Sequence, residues 1–584
     1  MNKRWIMMRR MKFRIKAAAV ATCLLGLLPV ARASDTQEAR KSALDGALFY
    51  QLLLGELQVR EGSPGAGFSI LLEAARKTRD PALYQRAVDI ALQNRSGEAA
   101  VQAARAWRED LPDSQEPLRY LLQIHLALGQ LEQAGQTLEA SIAALPAEEQ
   151  PAAIASIPRV FSRVPDKAQA TRTVEAALSR SLKNPATAPS AWTTIGRMRR
   201  DSGQLSRAVD AAIEGHAANA SAPGPLVLAI SLLDAGDDRV QPLLDQAMQG
   251  SVAPDLWLGY AQALLAAHET AHARVQLDRL LERHPGHAPA WLVSGLLRMD
   301  KGQIQLGQQE LERYLSLQGG SSNATESPGP VDALVALARA ALGQRQLAQA
   351  QRWLDQLPPQ ASALRVAPVR AELLARQGQP QQAREVFRQL EARTPQEQLQ
   401  NTLSHAQWLR EQAAWQEAYD LVQAALSQPS AKGQHELLNE LALICEKLQR
   451  HDEMEQLLRQ VIRLRPLDPQ AYNALGYSLA DRNVRLNEAR ELIEKAVELA
   501  PKDPFIRDSL GWVAYRQGRM EEARQLLETA FKTRPDAEIA AHLGEVLWQA
   551  GQSAAALDIW RQGLALNADN STLRDTLRRL QVQP

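Results

Sequence analysis

The chain is poor in cysteine, in aromatic residues and in net charge. Its 584 residues hold two cysteines, Cys23 and Cys445. Cys23 falls inside an export segment described below, so Cys445 is left alone. That excludes an intramolecular disulfide and a thiolate metal cluster. Aromatics make up 5% of the residues, while Ala, Leu, Gln, Glu and Arg abound, which favours helices. Formal charge is +1, from 67 basic and 66 acidic residues. Beyond the first 33 residues there is no basic block to neutralise phosphates, so nucleic acid is not expected as a partner. The apolar run "AAAVATCLLGLLPV" is too short to make a good membrane span.

What is present begins with that run. "MNKRWIMMRRMKFRIK" carries seven Lys and Arg and no acid, the apolar run follows, and "ARA" ends at Ala33. A basic head, a short apolar core and small residues before a cut make residues 1–33 a secretory signal peptide. Removing them takes away eight basic residues and leaves a formal charge of −7. The chain is expected to be periplasmic, with outer-membrane association as an extension of that reading. Membrane attachment is expected only if the signal stays uncleaved or if Cys23, in "VATC", is lipidated.

A period of about 34 residues runs through the rest. In "DSLGWVAYRQGRMEEARQLLETAFKTRP" (508–535), Leu510, Gly511, Ala514, Gly518, Ala523, Ala530 and Pro535 have the spacing of a tetratricopeptide repeat. Gly518 serves the turn between two antiparallel helices, the small residues let them approach, and Pro535 stops the second. The frame recurs from Leu48 to Trp560, with degenerate pairs over 146–188, 219–250 and 396–430. The expected fold is an all-α tetratricopeptide superhelical solenoid of about fourteen helix pairs. "QGGSSNATESPGP" breaks the period. Residues 34–318 are thus expected to form an N-terminal array, 319–330 a linker and 331–584 a C-terminal array.

"HETAH" (268–272) matches the H-E-x-x-H core of zincin metalloproteases, in which two histidines on one helix hold zinc. The repeat frame assigns it otherwise. It aligns with "GQLEQ", "GQLSR", "GQIQL", "GQPQQ", "GRMEE" and "GQSAA" at the turns of other repeats. His268 takes the turn position where those have glycine, and His272 an outward, variable one. His284 and His287 flank Pro285 at the next junction and supply no convincing third ligand. No catalytic residue, metal site or cofactor is expected, and a zinc peptidase using His268, Glu269 and His272 is the minor alternative.

Tetratricopeptide superhelices bind on the groove lined by the first helix of each pair. In this frame the last three repeats place Asn473, Tyr477, Asp508, Trp512, Tyr515, Glu545 and Trp548 there. Aromatics beside amides and carboxylates suit an extended peptide or a partner helix. The alternative for Trp512 and Trp548 is packing against the next repeat. At the other end "ALFYQLLLGELQVREG" (47–62) is unusually apolar for a terminal pair. Phe49, Tyr50 and Leu52 would cap the solenoid or dock a partner.

"YNALGYSLADRNVRLNEARELIEKA" (472–496), "DSLGWVAYRQGRMEEA" (508–523) and "AAHLGEVLWQAGQSAAALDIW" (540–560) resemble one proteobacterial family of envelope tetratricopeptide proteins, commonly outer-membrane lipoproteins. "LFYQLLLGEL" (48–57) and "RDPALYQRAVDIAL" (79–92) are similar to its start. The family includes the adaptor of the periplasmic carboxyl-terminal processing protease. The resemblance implies a non-catalytic scaffold that gathers the protease and its substrates, notably peptidoglycan cross-link hydrolases. It implies that helices around Phe49–Leu57 dock the protease and that the groove around Tyr477, Trp512 and Trp548 holds substrate. The chain departs from the family in lacking a clean lipoprotein box. A scaffold for an envelope export or polysaccharide-secretion complex is the other reading of the same architecture.

Overall fold

One backbone requirement recurs down the chain. Where two helices of a pair meet, the turn holds a residue in the left-handed region. Glycine fills it at Gly62, Gly129, Gly203, Gly302, Gly378, Gly518 and Gly551, with φ between +71° and +86°. The next N–H then returns to a carbonyl five residues back. Gln130 bonds His125 at 2.8 Å, Arg519 bonds Ala514 at 2.9 Å and Gln552 bonds Leu547 at 2.9 Å. This closure satisfies carbonyls that a helix end would leave bare. Arg95, His268, Arg345, Ala413, Gln449 and Asn483 hold the same position without glycine. The turn after Asp481 carries one inserted residue and two left-handed ones, Asn483 and Arg485.

Helix starts are equally local. Asp80, Asp468 and Asp503 each precede a proline at the first helical position, and each side chain accepts from a backbone N–H of the first turn. Asp536 caps its helix in the same way without the proline. The expected stop at Pro535 is met, because the preceding helix runs Met520–Thr533.

The computed structural model describes residues 45–318, 328–357, 363–428 and 433–584. The expected signal peptide, with Cys23, lies outside them, as does 319–327 of the expected linker. Pro328, Gly329 and Pro330 already open a helix, Pro328–Gly343. Among the described residues are 31 α-helices and no strand. They form fifteen consecutive pairs and a closing helix, Ser571–Leu580. The fold is an all-α tetratricopeptide solenoid, as the period requires.

Packing divides the described residues into two compact units, 45–333 and 334–584. In the first, Tyr84, Trp107, Trp257 and Tyr260 are fully buried large side chains. Its pairing is irregular over 150–183. Helix Gln150–Val160 contains Pro158, runs into a 3-10 turn at Phe161–Arg163, and packs on Ala188–Asp201. In the second unit Phe387, Trp408 and Trp560 anchor the core, and Cys445 lies buried with its thiol pushed up to about 12 by desolvation. Second helices of successive repeats are joined by ion pairs, among them Arg384–Glu417 and Arg490–Glu522, both at 2.7 Å. Partly exposed pairs of this kind contribute about 1 kcal/mol or less each.

Candidate functional site

Three first helices build a groove in the second unit: Pro469–Asp481, Pro504–Arg516 and Ala537–Gln549. Each follows a capping aspartate, so positions counted from that residue correspond. Tyr477, Trp512 and Glu545 share one such position, and Ala480, Tyr515 and Trp548 another. Stacking the repeats therefore lines up side chains far apart in sequence.

Tyr477, Trp512 and Glu545 are largely buried, yet they line one cavity of about 290 Å³. The cavity also takes Glu446, Asp481 and His542, with Thr576 and Arg579 from the closing helix. His542 organises its floor. Its Nδ1 donates to both carboxylate oxygens of Asp508, at 2.9 and 3.0 Å. The Tyr477 hydroxyl meets its Nε2 at 3.3 Å. The Trp512 ring stacks on the imidazole with centroids 4.3 Å apart, and the Arg516 guanidinium lies 5.5 Å from the Trp512 ring. Glu545 accepts from the Tyr515 hydroxyl at 3.2 Å and pairs with Arg579. Burial, reinforced by Glu545, pushes the Tyr515 hydroxyl up to about 12.

Burial disfavours charge on His542, but the Asp508 carboxylate outweighs it, helped by Glu538 and Asp481. The imidazole is held above its ordinary value. Desolvation also pushes Asp508 up. A histidine that binds its proton more tightly when folded stabilises the fold fully below its unfolded value, about 6.5, and loses that contribution as pH rises through the raised one. The urea midpoint of the wild type should therefore exceed that of a His542→Gln variant by more at pH 6 than at pH 8.5. An equal gap at both would show that the imidazole does not hold its proton there.

The other expected groove residues are placed as follows. Trp512 packs on His542 of the next repeat and also lines the cavity. Asp508 lies behind His542, buried. Asn473, Tyr515 and Trp548 are partly buried and outside this cavity's lining, and Trp548 rests on Trp560 with ring centroids 5.7 Å apart. Sequence reasoning missed His542, one turn before Glu545, Glu446 and Asp481 at the cavity wall, and Arg579, beyond the last repeat. His542 sits in the quoted stretch "AAHLGEVLW", where a polar side chain among small and apolar ones was the available signal.

At the N-terminal end, helix Gly46–Arg60 splits the expected trio. Leu52 packs against the core. Phe49 is 53% and Tyr50 66% exposed, and Leu53, Leu54 and Leu57 are exposed beside them. Spacings of three and four residues put these five on one side of the helix.

The "HETAH" segment meets the frame at His268, whereas His272, expected to face outward, is partly buried between helices. His268 is left-handed, with φ +66°, and the helix begins only at Thr270. His272 Nε2 bonds Asp245 Oδ1 at 2.8 Å, and the same oxygen accepts from Tyr260 and Gln276 at 2.9 and 2.7 Å. One histidine thus serves a turn and the other an inter-helix hydrogen-bond network. Left-handed backbone costs a side chain about 1–2 kcal/mol, partly offset by the entropy of glycine. His268→Gly is expected to raise the urea midpoint, by up to about 1 kcal/mol in stability. A lowered midpoint would mean that the imidazole makes a stabilising contact.

Tetratricopeptide repeat families match residues 254–297, 447–504 and 485–546. The chain is similar to the TPR repeat-containing protein PA4667 of Pseudomonas aeruginosa, 32% identical over 210 residues. That match spans 36% of this chain and about a third, 35%, of the Pseudomonas protein. Among solved structures, the APC/C hetero-tetramer Cut9–Hcn1 is similar at 14% identity, with a TM-score of 0.31, over 86% of this chain and 98% of that one. The thermophilic TPR protein TTC0263 of Thermus thermophilus is similar at 21% identity and a TM-score of 0.29, over 31% of this chain and 99% of that one. The chain carries tetratricopeptide repeats, which point to protein–protein interaction.

Proposed function

We propose that the chain is a non-catalytic periplasmic adaptor. It holds a carboxyl-terminal processing protease together with peptidoglycan hydrolases that the protease degrades, and so tunes cell-wall growth. The observation that carries this reading is the exposed apolar side of Gly46–Arg60. Soluble proteins rarely leave such a contiguous patch open, and one rimmed by polar residues marks a contact surface. The C-terminal cavity supplies a second surface of different chemistry, aromatic and charged. Two proteins bound to one chain meet at a high effective concentration, so degradation accelerates without any catalytic group on the adaptor. The basic, apolar and small-residue sequence of the first 33 residues supports export, and the resemblance of 472–560 to the envelope family supports the choice of partners.

Reconstitution tests it. The purified chain is mixed with a periplasmic carboxyl-terminal processing protease and a peptidoglycan hydrolase from the same bacterium. Hydrolase loss should be negligible with the chain alone, slow with protease alone, and about tenfold faster or more with both. An unchanged rate on adding the chain would reject the adaptor role.

A further inference from the structure

The cavity in the second unit carries an imbalance of charge that its own packing leaves uncompensated. Four carboxylates line it, Glu446, Asp481, Glu545 and Asp575, against Lys447, Arg579 and the His542 imidazole, whose charge Asp508 balances. Arg579 is held by Glu545, and Asp575 is paired with Arg578 at 2.9 Å. Glu446 and Asp481 have no ion-pair partner among the described residues. Both lie near enough to Tyr477 to hinder loss of its hydroxyl proton, and Asp481 acts likewise on His542 and Arg579. The potential at the cavity wall is therefore negative.

That wall is aromatic, formed by Tyr477 and Trp512. The Trp512 indole N–H is buried and has no hydrogen-bond partner. A buried donor without an acceptor costs about 1–3 kcal/mol, which a carbonyl brought to it would recover. Two unpaired carboxylates beside aromatic side chains form a site for a cation, through charge-assisted hydrogen bonds, with the rings flanking its apolar stem. A volume of about 290 Å³ accommodates a side chain with its peptide groups, and not a folded element.

We propose that this cavity receives a lysine or arginine side chain of an extended peptide. Glu446 and Asp481 hold its charge, Tyr477 and Trp512 flank its stem, and the Trp512 N–H donates to a carbonyl of the peptide. The inference deepens the adaptor reading and rests on it only for the peptide belonging to a client protein.

Fluorescence anisotropy tests it on the full chain. The probes are fluorescein-labelled, amide-capped heptapeptides Ala-Gly-Ser-Xaa-Ser-Gly-Ala with lysine, arginine, norleucine or glutamate at the centre. Lysine and arginine should bind about tenfold tighter than norleucine, with glutamate weakest. The advantage should vanish in a Glu446→Gln/Asp481→Asn variant whose circular dichroism matches the wild type. Norleucine binding as tightly as lysine, a lysine advantage that survives in the variant, or no binding of any peptide would overturn the proposal. Lysine selectivity without acceleration in the reconstitution would leave this inference standing and reject the adaptor. Acceleration without selectivity would do the reverse.

Discussion

Replacing Trp560 by alanine is expected to unravel the C-terminal end of the array. The side chain is fully buried, its indole N–H donates to the Ala541 carbonyl at 3.4 Å, and Gly544 lies flat against the ring. A Cβ built on Gly544 would sit 2.2 Å from the Trp560 Nε1, so helices Ala537–Gln549 and Ser553–Leu566 approach only because glycine is there. Truncating a buried tryptophan costs about 3–5 kcal/mol. In a solenoid each repeat is held by its neighbours alone, so the loss stays local. Hydrogen exchange should show amides of 537–580 losing protection while those of 434–464 keep theirs. Because the closing helix supplies Arg579 and Thr576 to the cavity, peptide binding should fail in the same variant. Uniform loss of protection over 334–584 would show that this unit unfolds as one body and that the repeat-by-repeat picture is wrong. Gly544→Ala should give a milder form of the same local effect, about 1–3 kcal/mol, through overpacking.

The second large effect concerns the opposite end. A Phe49→Glu/Leu53→Glu variant should lose protease capture by about 100-fold, near 2.7 kcal/mol, because apolar anchors at the centre of a contact carry most of its energy. Both side chains are about half exposed and glutamate is a good helix former, so the fold should be untouched. Circular dichroism and the thermal midpoint check the fold, and surface plasmon resonance against immobilised protease reads the binding. Unchanged affinity would place the protease elsewhere on the chain.

The two ends differ in how far they could be read from sequence. Turn chemistry is local, so Gly518 and its counterparts marked the helix pairs, and the shared frame sufficed to place His268 in a turn ahead of its helix. The aspartate caps that set the groove helices in register are equally local. The link from His542 to Asp508 is not, because it joins residues 34 apart on neighbouring helices and depends on how those helices are rotated. The partner of Glu545 lies beyond the last repeat, on a helix that the period does not describe. At the N-terminus the difficulty is of another kind. Gly46–Arg60 distributes its apolar residues to both sides of the helix, so periodicity could not separate the inward Leu52 from the exposed Phe49 and Tyr50. Only the packing of the following helix decides which side is covered.

The most direct test of the adaptor account is in-cell crosslinking of the tagged full chain, followed by affinity purification from envelope extracts and mass spectrometry. The account predicts that a carboxyl-terminal processing protease and a peptidoglycan hydrolase are recovered together. It further predicts that Phe49→Glu/Leu53→Glu loses the protease while keeping the hydrolase. Recovery of an export or polysaccharide-secretion complex, with no processing protease, would contradict it.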